Sequence, residues 1–303
     1  MLLFAEGGKE HTPLIVEFIN HYLGEPVLKF EQAFTLPAWQ KLFKLLNIKA
    51  NPETVFGPYT AENAIPWYTV MFVIACILTL VVIWIFKGRL SEDDPTPGQL
   101  TLEAGFLALK DLIVTVIGEH GYRYFPVVAT FGVLVLISNL MGQFPMFMSP
   151  TASVNVTFAL GISSFVYYNY IGIHENGLLN HLRHFAGPKL PLLMAIIITP
   201  LIFGIEIISN LIRPLTLGVR LFANMFADEQ ISSQISGLAP PFTQFLLPIA
   251  LMPLAVFVAF VQTLVFTLLS MIYISEVSHA PHEHIHGGEH SVITGEAIMT
   301  AHV

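Results

Sequence analysis

A single cysteine, Cys76, lies in an apolar run, so the chain has neither a disulfide framework nor a cysteine metal site. Charge is scarce as well. The 13 Lys and Arg and 21 Asp and Glu make up 11% of 303 residues, under half the roughly 25% of a soluble domain. The net charge of -8 and the lack of a basic cluster argue against a nucleic-acid partner. No G-x-x-x-x-G-K-S/T loop is present, so nucleotide chemistry is expected on other chains, with no cofactor held here. The start, Met1-Leu2-Leu3-Phe4-Ala5-Glu6, lacks the basic leader and apolar core of a signal peptide, and the membrane segments are expected to target the chain themselves. Apolar residues, by contrast, reach 54% and gather in long runs. Together these features predict an all-α integral membrane protein.

Along the chain, residues 1–62 are mixed and moderately polar, and five apolar stretches follow. In the first region Leu14, Ile15, Phe18, Ile19 and Tyr22 share a helical face, and Trp39 to Ile48 interleaves leucines with lysines. Both patterns suit helices lying at the membrane surface, and equally helices packing on the rest of the protein. The spans are expected at about Ile65–Phe86, Val127–Met148 and Val156–Ile173, then in two long stretches, Leu190–Ile235 and Phe242–Ser275. The last two exceed the roughly 20 residues of a perpendicular span. They are strongly tilted or extend outside the bilayer, and their prolines suit a wall curving against a partner.

The expected organisation has an N-terminal region (1–62), a first span (63–88), a cytoplasmic link with an amphipathic helix (89–125), a channel domain (126–278) and a His-rich cytoplasmic tail (279–303). Lys and Arg in the links 87–125 and 174–189, against none in 149–155 and 236–244, place the N-terminus outside and the C-terminus inside.

The fourth stretch carries polar groups where hydrocarbon solvates none. At about 100° per residue, Glu206, Asn210, Arg213, Arg220, Asn224 and Asp228 fall within about 40° of one line, bordered by Ser209 and Thr216. Glu206 to Asn224 covers about 27 Å, close to the hydrocarbon thickness. Glu229 lies roughly 140° off that line. Glu206 can pair with Arg213, which leaves Arg220 with no anion on its own helix except Asp228, two turns away. A permanent cation in lipid costs roughly 3 to above 10 kcal/mol, so Arg220 needs a counter-ion, a wet cavity or both. On the fifth stretch, Gln262 is expected to face Arg220, with Thr263, Thr267 and Ser270 nearby as polar helix contacts.

The run Pro214-Leu215-Thr216-Leu217-Gly218-Val219-Arg220-Leu221-Phe222-Ala223-Asn224-Met225-Phe226-Ala227-Asp228-Glu229 resembles the signature helix of the subunit a family, the stator channel of F-type ATP synthases. Gly121-Tyr122-Arg123-Tyr124-Phe125-Pro126, Ser138-Asn139-Leu140-Met141-Gly142-Gln143-Phe144-Pro145, Pro150 to Thr157 and Met271-Ile272-Tyr273-Ile274-Ser275 are similar to family segments too, over roughly residues 65–278.

The resemblance implies a partner ring of c subunits, each with a mid-membrane carboxylate, along with the peripheral-stalk subunit b and the rest of the F1Fo complex. It implies that Arg220 is the essential arginine. Asn224, Glu229 and Gln262 would line an outer proton path, and Glu206 and Ser209 an inner one. Departures are Ala223 and Asp228, where the family has glycines, and Ala255, where some relatives have histidine. Asp228 is expected to compensate for that missing histidine.

Two other readings are available. An anion-binding secondary transporter could use Arg220, but no convincing internal repeat supports it. The tail His282-Glu283-His284-Ile285-His286 falls in a formal H-E-x-x-H pattern, yet Pro281 and Gly287-Gly288 leave room for barely one helical turn.

Overall fold

The computed structural model describes residues 13–45, 60, 64–88, 90–144, 147–177, 192–236 and 242–278. The basic loop before residue 192 and the His-rich tail lie outside the described residues. Among the described residues there are helices and turns but no strand, and five helices are long and apolar enough to cross a membrane.

The N-terminal arm is α1 (Leu14–Phe30), a π-helical turn (Glu31–Thr35) and α2 (Leu36–Leu45). It docks through a face different from the one the sequence pattern picks out. Val16, Asn20 and Gly24, four apart, are the buried residues of α1. Leu14, Phe18 and Tyr22 are 80%, 65% and 66% exposed, and only Ile15 and Ile19 of the expected face pack, at half burial. Asn20 decides the rotation. Its amide donates to the Ile65 carbonyl at 3.1 Å and accepts the Ile65 N–H at 3.0 Å, pinning the arm to the start of the first span. A pairing between distant segments leaves no mark in the local apolar period.

That span, α3 (Trp67–Lys87), begins after Pro66 and ends at Gly88, whose φ of 50° favours glycine. Its 21 residues cover about 31 Å, one hydrocarbon thickness. Helix α4 (Pro97–Ile117) follows, with Thr96 accepting the Gln99 N–H and Pro97 at its first turn. Gly98 lets it start hard against α3, since a Cβ there would sit 2.8 Å from the Phe86 carbonyl oxygen. At its other end Ile113 and Ile117 are buried against Met271, Ile274 and Val277, and the Ser275 hydroxyl donates to the Val116 carbonyl at 2.9 Å. This helix therefore braces the end of the first span to the end of the last.

A 3-10 turn (Glu119–Tyr124) leads into α5 (Phe125–Met141). The sequence extends this span to Met148, but the helix stops seven residues earlier. Ser138 and Asn139 in its last turn are fully buried, and the returning loop reaches the backbone carbonyl of the first and the side-chain oxygen of the second. The Ser149 hydroxyl donates to the Ser138 carbonyl at 3.0 Å, and the Thr151 hydroxyl to Asn139 Oδ1 at 2.7 Å. Gly142 makes the turn possible, because a Cβ there would lie 2.7 Å from Ser149 Cβ.

Helix α6 (Val154–Asn176) crosses α7 (Leu192–Ser236) at two glycines. A Cβ on Gly161 would lie 2.6 Å from the Pro214 carbonyl oxygen, and one on Gly218 would lie 3.1 Å from that of Thr157. Small residues allow such close approach between membrane helices. Helices α7 and α8 (Phe242–Ser278) run 45 and 37 residues. Their apolar parts, Thr199–Ile231 and Ile249–Ser278, cover about 50 and 45 Å. A slab about 30 Å thick accommodates them at tilts of roughly 50°, or with ends outside it. Helix α7 continues through Pro200 and Pro214.

Candidate functional site

The polar stripe of α7 resolves into three parts, each treated differently by the neighbouring helices. Leu217, Leu221 and Met225, four apart, are its buried edge, and the first two join Val135, Leu160 and Phe266 in the core. The stripe runs beside that edge.

At the N-terminal end the groups are gathered in. Both terminal nitrogens of Arg213 donate to Glu276 on α8, Nη1 at 2.5 Å and Nη2 at 2.8 Å, while Glu206 Oε1 lies 3.8 Å from Nη2. The guanidinium sits 5.2 Å from the centre of the Tyr273 ring, within cation–π range. The Glu206–Arg213 pair expected from the sequence is thus present, but as the looser of two contacts. The Tyr168 hydroxyl on α6 donates to Asn210 Oδ1 and lies 3.3 Å from the Asn210 carbonyl oxygen, and Asn210 Nδ2 is 3.5 Å from Asn169 Oδ1. Ser209 is half-buried at the border, and Thr216 is exposed with its hydroxyl on the Arg213 carbonyl.

At the C-terminal end, Asn224 Nδ2 donates to Gln262 Oε1 at 2.6 Å, and Gln262 is only 4% exposed. The loop after α5 receives the two carboxylates. Gln143 Nε2 donates to Asp228 Oδ2 at 3.1 Å, and the Ser149 N–H to Glu229 Oε1 at 3.3 Å. Glu229, off the stripe by angle, thus reaches the same loop as Asp228.

Between these ends stands Arg220. It is exposed, and among the described residues it makes no hydrogen bond and no ion pair. Gln262 is paired with Asn224, one turn beyond it. In the antiparallel register set by the Arg213–Glu276 and Asn224–Gln262 contacts, Arg220 lies level with Phe266 and Thr267. Phe266 is fully buried, and the Thr267 hydroxyl donates to the Thr263 carbonyl. On its own helix Arg220 has the exposed Thr216, Ala223 and Asn224 one turn to either side, and the exposed surfaces of the two helices further carry Val219 and Phe226 on α7 and Phe257, Phe260, Val261 and Leu264 on α8. A guanidinium that faces lipid without a counter-ion is costly.

The sequence reading did not find Glu276, Tyr168, Asn169, Gln143 or Ser149. Glu276 carried a faint signal, a carboxylate three residues after Tyr273 at the end of an apolar run. Tyr168 and Asn169 carried another, adjacent polar groups inside the third span.

The family described as ATP synthase A chain matches residues 69–275. Similar curated proteins include ATP synthase subunit a of Solibacter usitatus, 37% identical over 74% of this chain and 92% of that protein. ATP synthase subunit a 1 of Pelobacter propionicus is 41% identical over 65% and 82%. ATP synthase subunit a of Aquifex aeolicus is 36% identical over 68% and 94%. The match takes in both cross-linked ends of α7 except Glu276, together with the unpaired arginine between them, and on that extent of agreement the chain belongs to the ATP synthase A chain family.

Proposed function

We propose that this chain is the stator channel of an F-type ATP synthase, passing protons through two offset half-channels to and from carboxylates on a ring of c subunits. The observation that carries this reading is Arg220, an exposed guanidinium inside a membrane-length helix that has no partner among the described residues. A rotor carboxylate in lipid stays neutral, since desolvation disfavours its charged form. Opposite Arg220 the ionised form is favoured, so the proton leaves. The arginine then separates two routes by repelling protons where they would otherwise meet.

The outer route runs past Glu229, Asp228, Asn224 and Gln262, and the inner route past Glu206 and Ser209. The membrane potential supplies about 2.3 kcal/mol per charge per 100 mV. The N-terminus is outside, and the C-terminus is cytoplasmic. Peripheral-stalk subunit b and the remaining F1Fo subunits complete the assembly in the bacterial inner membrane. Asp228 supplies the titrating group that a histidine at position 255 would otherwise provide.

The test is the reconstituted complex carrying Arg220→Ala. Assembly persists and coupled ATP synthesis falls to background, while normal synthesis refutes the reading. Arg220→Lys fails as well, because an ammonium loses its proton more readily and lacks the planar fork. In the same vesicles Asp228→Gly alters the pH profile of proton flux, and an unchanged profile removes Asp228 from the route.

A further inference from the structure

Two arginines share the stripe of α7, seven residues and about 10.5 Å apart, yet their surroundings are opposite. Arg213 is held by both oxygens of Glu276 and lies over the Tyr273 ring, with its side chain 18% exposed. Arg220 is exposed, with no partner among the described residues. Their sequence neighbourhoods do not explain the difference, since both sit on the same side of one continuous helix. The cause is on α8, where Glu276 and Tyr273, three apart, face the same way.

We infer that Glu276 is the counter-ion that keeps Arg213 out of the ion path, leaving Arg220 as the sole uncompensated cation offered to a partner's carboxylate. This rests on the stator-channel reading above and adds to it a positioning residue.

The charges within reach of Arg213 bear this out. From α7 comes Glu206, at 3.8 Å and outside hydrogen-bond range. From α6 come the Tyr168 hydroxyl, engaged by Asn210, and the Asn169 amide. The next carboxylate on α6, Glu175, is taken by Arg123 and Tyr124. From α8 comes Glu276, whose two oxygens meet two nitrogens of the guanidinium, the geometry that fixes direction as well as distance. Without Glu276 the nearest anion is Glu206, itself on the proposed inner route. Arg213 would then either clamp that carboxylate or stand as a second fixed cation about 10 Å from Arg220. Either outcome obstructs protons on the inner side and gives the rotor carboxylate a competing partner. An ion pair of this burial contributes little to stability as a pair, but losing one member leaves an uncompensated charge. The asymmetry between the two losses separates a charge-setting role from a scaffold role.

The test uses the intact F1Fo complex in liposomes, reading ATP-driven proton pumping and ATP synthesis for Glu276→Gln, Arg213→Gln and the double variant, with Arg220→Ala alongside. Glu276→Gln lowers pumping about tenfold, the order expected of one added charge at that range. Arg213→Gln and the double variant stay within about threefold of the parent, so removing the arginine rescues the loss of its acid. A scaffold role gives no such rescue. A double variant as poor as Glu276→Gln, or Glu276→Gln pumping normally, overturns the inference. If Glu276→Gln does not assemble, Arg213→Gln decides alone, since abolished pumping there means that Arg213 is itself required. Arg220→Ala keeps the two claims apart. Normal pumping in it overturns the stator-channel reading, whereas background pumping in it beside a normal Glu276→Gln overturns only the role of Glu276.

Discussion

Pro214 removes one hydrogen-bond donor from α7, and the acceptor it orphans is the Asn210 carbonyl, one turn back. The Tyr168 hydroxyl stands 3.3 Å from that oxygen and on the Asn210 side chain as well. One phenol thus steadies the helix four residues before Pro214 and ten before Arg220. Tyr168→Phe keeps the ring and removes the hydroxyl. It lowers the stability of the purified complex by about 1–2 kcal/mol, read as a drop in Tm, and an unchanged Tm means the Asn210 carbonyl is satisfied otherwise. At this scale the sequence shows which residues share a helical face but not how most of them pair. The stripe of Glu206, Asn210, Arg213, Arg220, Asn224 and Asp228 followed from the helical period alone. Glu276 did not, because its meeting with Arg213 depends on how α7 slides along α8, and no local pattern encodes that register.

Glycines place α6 against α7. A single methyl on Gly161 would lie 2.6 Å from a backbone oxygen that cannot move aside, that of Pro214, whereas Gly105 on α4 has nothing within 4 Å. The two sites make a matched pair of tests. Gly161→Leu forces the helices apart and costs about 1–3 kcal/mol or more, visible as loss of coupled pumping and a lower Tm. Gly105→Ala is neutral or gains up to about 1 kcal/mol, as expected of an unobstructed helix position. If both behave alike, the crossing is not set by these contacts. The five spans were legible because hydrocarbon demands long apolar runs. The end of α5 was not, since apolar residues continue past Gly142 while the chain turns back and sets Ser149 and Thr151 on the Ser138 carbonyl and Asn139 Oδ1. The docking face of α1 was missed for a related reason, namely that Asn20 binds a backbone 45 residues away.

The molecule as a whole is asymmetric in its needs. Its interior closes around α5, α6 and the inner faces of α7 and α8, while the opposite face of the α7–α8 pair is apolar and carries Arg220. Purified alone into lipid nanodiscs, the chain holds that charge against acyl chains. Arg220→Gln therefore stabilises the isolated chain by roughly 1–3 kcal/mol, read as a higher Tm, although on the proposed reading it destroys coupling in the complex. A Tm that is unchanged or lower shows the arginine to be satisfied within the chain. On the proposed reading, Arg220 serves the complex at the expense of the isolated chain's stability.

The brace formed by α4 has a temporal side. Ile113 and Ile117 share their cluster with Met271, Ile274 and Val277, which the ribosome makes about 160 residues later. Throughout that interval the nascent chain carries an unsealed apolar edge, open to insertion factors and to membrane proteases. Synthesis cut short before the final helix leaves Ile113 and Ile117 without the cover of that helix.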